Sequence, residues 1–205
     1  FKKIQKPFFI TAALVAAIVF FYSLAFSTDL YNLSFFMDLD GLGRYYVEGS
    51  RIYLEAQTFN KLLFNLAIIL ILITISLFVY FGQSRRIYYI SNIITISLYC
   101  AYCFMLAGLI IIKVIEIKDK FLNGVDFETY LKFTQRLGVE NKYTTSTFWL
   151  DMGFVVSGIL IFISLLMLIN MFLRIYAIRS EQKQKTLKEQ EAAKDGGLDK
   201  ETVNV

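Results

Sequence analysis

The chain has 205 residues, 57% of them hydrophobic, and a mean hydropathy of +0.55; its apolar residues gather into runs instead of alternating with polar ones, which excludes an ordinary soluble domain. The net charge of +4 is small and scattered, so nucleic-acid binding has no support. There is no histidine, which removes His-ligated haem, His-containing metal centres and His general bases, and no cofactor is expected.

The four apolar runs are Phe8–Phe26, Leu62–Phe81, Ile87–Ile112 and Phe148–Leu173. Each matches the roughly 20 residues that carry a helix across a ~30 Å hydrocarbon core while satisfying its own backbone hydrogen bonds. The fold class expected is all-α: a polytopic membrane protein, a four-transmembrane-helix bundle with short extramembrane helices. Residues 1–179 form the membrane domain, with spans at about 8–26, 62–81, 87–112 and 148–173 and outer segments at 27–61 and 113–147. Residues 180–205 form a charged helical, then flexible, cytoplasmic tail.

The first run has the outline of a secretory signal, with Lys2, Lys3 and Lys6 before it and Ala25-Phe26-Ser27 after it. It is longer than a usual signal core and reads as a retained helix. Ala12 and Ala16, and Ala13 and Ala17, are small-xxx-small pairs, the spacing that lets membrane helices approach closely. In the first outer segment, turns are expected up to Gly43. From Arg44 the spacing of Tyr45, Ile52, Ala56, Phe59 and Leu63 predicts a helix that runs on into span two. Asp38-Leu39-Asp40-Gly41-Leu42-Gly43 begins like a calcium loop but has Gly49 where the bidentate Glu belongs, and reads as an acidic turn. Asn32-Leu33-Ser34 is a glycosylation sequon, relevant only in a secretory pathway.

Span two is almost wholly Ile, Leu and Phe and reads as facing lipid or an apolar groove of a partner. Gly82–Arg86 is a tight turn. Span three holds both cysteines, in Cys100-Ala101-Tyr102-Cys103. Four-helix thiol oxidoreductases of the disulfide-bond-formation and vitamin K epoxide reductase types use such a pair, but with loop cysteines that this chain lacks. Packing is the preferred reading: Ser97, Ala101 and Gly108, with Cys100, Cys103 and Ala107, make a small-residue side. In the second outer segment, Asp126 is placed to cap a helix bearing Phe127, Tyr130, Leu131 and Leu137, stopped by Gly138. Span four contains Gly153 and Ser157 at small-xxx-small spacing. Beyond it, Ser180–Lys194 predicts a solvated helix ended by Gly196-Gly197, and Val203-Asn204-Val205 reads as a frayed end instead of a groove-binding carboxylate.

Basic residues flank the spans densely on one side: Lys2, Lys3, Lys6, Arg85, Arg86, Arg174, Arg179, Lys183, Lys185 and Lys188. That asymmetry predicts both termini in the cytoplasm, or in the matrix if the membrane is mitochondrial. Tyr45, Tyr46, Tyr53, Tyr88, Tyr89, Trp149 and Tyr176 fall near the expected interfaces, where amphipathic rings anchor helices. Within the spans there is no Lys, Arg or Glu away from their ends, and the polar residues are Asn65, Asn92, Asn170 and scattered Ser, Thr and Tyr. Buried ionisable groups mark pumps and proton relays, so this chain is not expected to be one by itself.

Four spans, internal termini, a first outer loop and a basic tail resemble the layout of claudin-like and other tetraspan proteins. The resemblance is one of topology, since the Trp, Gly-Leu-Trp and Cys signature of the claudin loop and the Cys-Cys-Gly of tetraspanins are absent. The function expected is a non-enzymatic accessory, structural or regulatory subunit of a larger membrane complex: a channel, transporter or respiratory-type assembly. Its partners are the lipid bilayer and a larger membrane protein. A homo-oligomeric channel is the alternative, and a membrane thiol oxidoreductase using Cys100 and Cys103 the remote one.

Overall fold

The computed structural model describes residues 2–37, 45–82 and 88–201. The described residues are helical without strands: α1 (Lys2–Ala25), a 3₁₀ helix (Thr28–Phe36), α2 (Ile52–Gly82), α3 (Tyr88–Gly124), α4 (Phe127–Leu137) and α5 (Phe148–Glu201). Four of these helices are long and apolar enough to cross a membrane. The Asp38–Gly43 turn, the Arg85-Arg86 pair and Val203-Asn204-Val205 lie outside the described residues.

The four long helices close a ring in which α1 and α3 each pack on both α2 and α5. All neighbours are antiparallel. Ring contacts pair Phe9 with Phe78, Phe20 with Phe64 and Phe26 with Phe59 between α1 and α2. Between α3 and α5 the register runs from Lys118 with Asp151, through Ala107 with Ser157, to Cys100 with Ser164. One end of the ring therefore carries the 3₁₀ helix and α4, which belong to the two outer connecting segments (the loop end), and α1 begins at the other.

Each helix buries one stripe. On α3 it is Ile96, Tyr99, Cys100, Cys103, Leu106, Ala107, Ile110 and Val114, the three- and four-residue steps of a helical face. The opposite faces are also apolar: Phe21 is 67% exposed, Leu72 57%, Ile94 61% and Phe162 63%. In water such surfaces would aggregate; they suit lipid, and the fold fits a multi-pass membrane protein.

All four long helices are longer than their apolar runs. At 1.5 Å per residue, α3 spans about 56 Å, well beyond a ~30 Å core. It continues twelve residues past Ile112, where the outer segment was expected to begin. Charges mark the end of the apolar run but do not stop a helix when they pair along it: Lys113 binds Glu116 and Lys120 binds Glu116, at i,i+3 and i,i+4 spacing. The helix expected from Arg44 begins instead at Ile52, because Gly49 takes a φ of +81° and turns the chain just before it. Ile52, Ala56, Phe59 and Leu63 are all buried, and α2 runs unbroken into span two. Asp126 caps α4 by accepting from the Thr129 N–H, and Gly138, at φ +65°, ends it. Gly196 and Gly197 do not end α5, which is one helix from Phe148 to Glu201 and crosses residue 180 without a break.

Candidate functional site

The loop end holds the densest polar chemistry. The amides at the start of α5 would be orphans by helix geometry. Phe148 N–H donates to Ser146 Oγ, and Trp149 and Leu150 N–H donate to Asp29 Oδ2 at 2.6 and 3.1 Å. Asp29 is fully buried and belongs to the 3₁₀ helix, so the first connection caps a helix that starts 119 residues later. Burial pushes its carboxyl above the usual carboxylate range, outweighing the two amide donors. The adjoining Thr147 hydroxyl donates to Asp151, whose carboxylate also binds Lys118 of α3.

A second knot lies beside the first. Asn32 Nδ2 donates to Thr144 Oγ1 at 2.8 Å, and Asn141 Nδ2 donates to Asn32 Oδ1 at 3.1 Å. Asn32 and Thr144 are each 2% exposed. The sequon asparagine is thus committed to a buried network joining the two connecting segments, and its amide is closed to a glycan. Below it, Phe36 rings pack on Tyr130 and Phe133 of α4, and the Asp126 N–H donates to Glu48 O. A Cβ on Gly49 would meet Gly124 O at 2.1 Å, so glycine is needed where the first connection crosses the end of α3.

The small residues divide into two sets. Ala12 and Ala16 are buried in the ring, whereas Ala13 and Ala17 are half-buried beside them. Gly153 is a close approach of α5 to its neighbours: a Cβ there would lie 2.4 Å from the Tyr22 hydroxyl and 2.6 Å from Val114 Cγ2. Ser157, one turn on, donates to the Ala107 carbonyl at 3.3 Å. On α3, however, the expected single small-residue side is split. Cys100, Cys103 and Ala107 face the interior; Ser97 and Ala101 are exposed, although the Ser97 hydroxyl reaches Met171 Sδ of α5 at 3.4 Å, and Gly108 is half-buried with nothing within 4 Å of a Cβ. A helix turns 100° per residue, so 97, 101 and 108 cannot share a face centre with 100, 103 and 107.

Both thiols are free and buried at mid-helix, with Cys100 Sγ 3.5 Å from the Ser164 carbonyl. Towards the terminal end, Asn92 and Asn170 are buried, and the Asn92 amide and the Asn170 Nδ2 have no hydrogen-bond partner. Among the described residues no group of three or more His, Cys, Asp or Glu side chains is placed to hold a metal ion.

Family models, curated proteins and solved structures each yield no match to this chain.

The site residues that sequence reasoning overlooked are Asp29, Tyr22 and Thr144. Asp29 stands three residues past an apolar run, where an acid reads as a turn. Nothing local announces that it caps α5. Asn32 stood out in the sequence as part of a sequon, and nothing there pointed to its bonds with Thr144 and Asn141.

Proposed function

We propose that this chain is a non-enzymatic subunit of a larger integral membrane assembly, inserted through its four long helices with both termini on the cytoplasmic or matrix side. The observation that carries the proposal is the outward row on α3. Ser97, Ala101 and Gly108 sit at steps of four and seven residues, flanked by Leu98 and Met105, which are 53% and 50% exposed. Lipid tails are as apolar as side chains, so helices associate in a bilayer through close packing, and small residues at heptad-like steps permit it. The ring already uses Ala12, Ala16, Cys100, Cys103, Gly153 and Ser157 for its own contacts, and Ser97 at the near end of the row donates to Met171 Sδ of α5 at 3.4 Å, so Ala101 and Gly108 are the part of the row left to a helix from another chain. The loop-end knots support a scaffold reading, since they brace both connections against the ring as one surface.

The second reading, a self-assembled channel, draws on Asn92 and Asn170, whose unpaired amides would suit a hydrated lumen. Those amides lie inside one ring rather than on its outer face, which favours the subunit reading over a pore built between copies. Extraction in mild detergent, native gel separation and mass spectrometry of the band test the proposal. Stoichiometric co-migration with a larger membrane protein is expected; a band holding only this chain, at a multiple of 23.7 kDa after allowing for detergent, refutes it.

A further inference from the structure

We infer that the groove between α2 and α3 at the loop end is a binding site for one ethanolamine phospholipid, with the phosphate on Lys113 and the ammonium on Glu116 and Glu55. The groove is open to the surface, has a volume of about 420 Å³ and is walled by Phe59, Leu62 and Ile117 among its apolar residues. It straddles the level at which the apolar runs of both helices end. Leu62 opens the run of α2, and Lys113 is the first charge beyond that of α3. At that depth the surrounding medium is the boundary between acyl chains and headgroups, so the occupant is a lipid rather than a water-borne ligand.

The order of charges selects the headgroup. The antiparallel register, fixed by Lys120 on Glu55 at 2.6 Å, sets Lys113 level with Leu62 and puts Glu116 and Glu55 farther from the hydrocarbon. A phospholipid presents its charges in the matching order, phosphate nearer the chains and amine beyond. Lys113 holds Glu116 at 2.6 Å with one of its three donors and has others for phosphate oxygens. Glu55 and Glu116 already share the Lys120 ammonium, at 2.6 and 3.0 Å, and it is their remaining lone pairs that accept from a primary ammonium; a choline headgroup has no N–H to donate. Lys113, Lys120, Glu55 and Glu116 sum to zero charge, so an anionic headgroup gains no net attraction while a zwitterion in this order finds complementary charges.

Native mass spectrometry of the full chain tests this, after incubation with equimolar phosphatidylethanolamine, phosphatidylcholine and phosphatidylglycerol of identical acyl chains. The expected spectrum has a one-lipid adduct dominated by the ethanolamine lipid. Lys113→Ala lowers total adduct about tenfold, the loss of one charge-assisted contact. Glu55→Gln with Glu116→Gln brings the ethanolamine and choline adducts to equal intensity. Lys132→Ala, which removes the Lys132–Glu128 pair on α4, changes neither. Three equal adducts on the unaltered chain, a dominant glycerol lipid, or an ethanolamine preference that survives the double Glu substitution overturns the assignment. Because the first two readings need no variant, a misfolded substitution does not protect it.

Discussion

Replacing Asp29 by Ala removes the acceptor of two α5 amides at once, one of them on fully buried Leu150. A hydrogen bond to a charged acceptor contributes about 1.5–3 kcal/mol net, so two give about 3–6 kcal/mol. Relief of the buried carboxylate's desolvation offsets part of this, leaving a loss of about 2–4 kcal/mol. For a chain of this length that lowers the melting temperature by roughly 5–15 °C. Asp29→Asn keeps an oxygen for both amides without the buried charge and is expected within about 1 kcal/mol of the unaltered chain. The sign of the pH dependence follows from the raised carboxyl pKa. The native state holds this proton to higher pH than the unfolded chain, so stability from Asp29 falls as pH rises above the ordinary aspartate range, and Asp29→Asn lacks that slope. Trp149 is the single tryptophan and donates its amide to Asp29, so its emission during thermal unfolding in detergent reads the cap directly. An Ala variant that melts with the unaltered chain refutes the cap. An Asn variant as unstable as Ala shows that charge, and not hydrogen bonding, holds α5.

Other perturbations probe the ring and the knots. Gly153→Ala forces a methyl against Tyr22 and Val114 and should cost about 1–3 kcal/mol. Gly158→Ala, five residues along α5 with nothing within 4 Å, should be neutral or stabilising by up to about 1 kcal/mol, and melting curves of the pair separate close packing from helix propensity. Expressed in a glycosylating cell, the chain should show no glycosidase-sensitive mass at Asn32, because that amide is buried and bonded to Thr144 and Asn141; a shift on deglycosylation contradicts the knot. Maleimide should leave Cys100 and Cys103 unlabelled in the folded protein and modify both after denaturation, as intact mass will report. Rapid labelling of the native chain would mean an interior open to solvent.

What could be read from sequence was local. Apolar runs of the right length announced four helices, and Asp126 and Gly138 announced α4, because caps act within one turn. The extension of α3 to Gly124 was hidden by Lys113, since a charge signals the edge of hydrocarbon but not the end of a helix. Long-range partners were not legible at all. Asp29 with α5, and Asn32 with Thr144, join residues more than a hundred positions apart. The division of the α3 small residues into inward Cys100, Cys103 and Ala107 and outward Ser97 and Ala101 depends on where the neighbouring helices stand. Spacing alone lists such residues without choosing their face.

The outward row bears directly on the subunit proposal, and site-directed photo-crosslinking in intact membranes examines it at residue resolution. One crosslinker replaces Ala101, and a control replaces Leu72, which is 57% exposed on α2. The account predicts an adduct with a different, larger membrane protein from position 101 and none from position 72. Adducts only between copies of this chain, or equal yields from both positions, would contradict it.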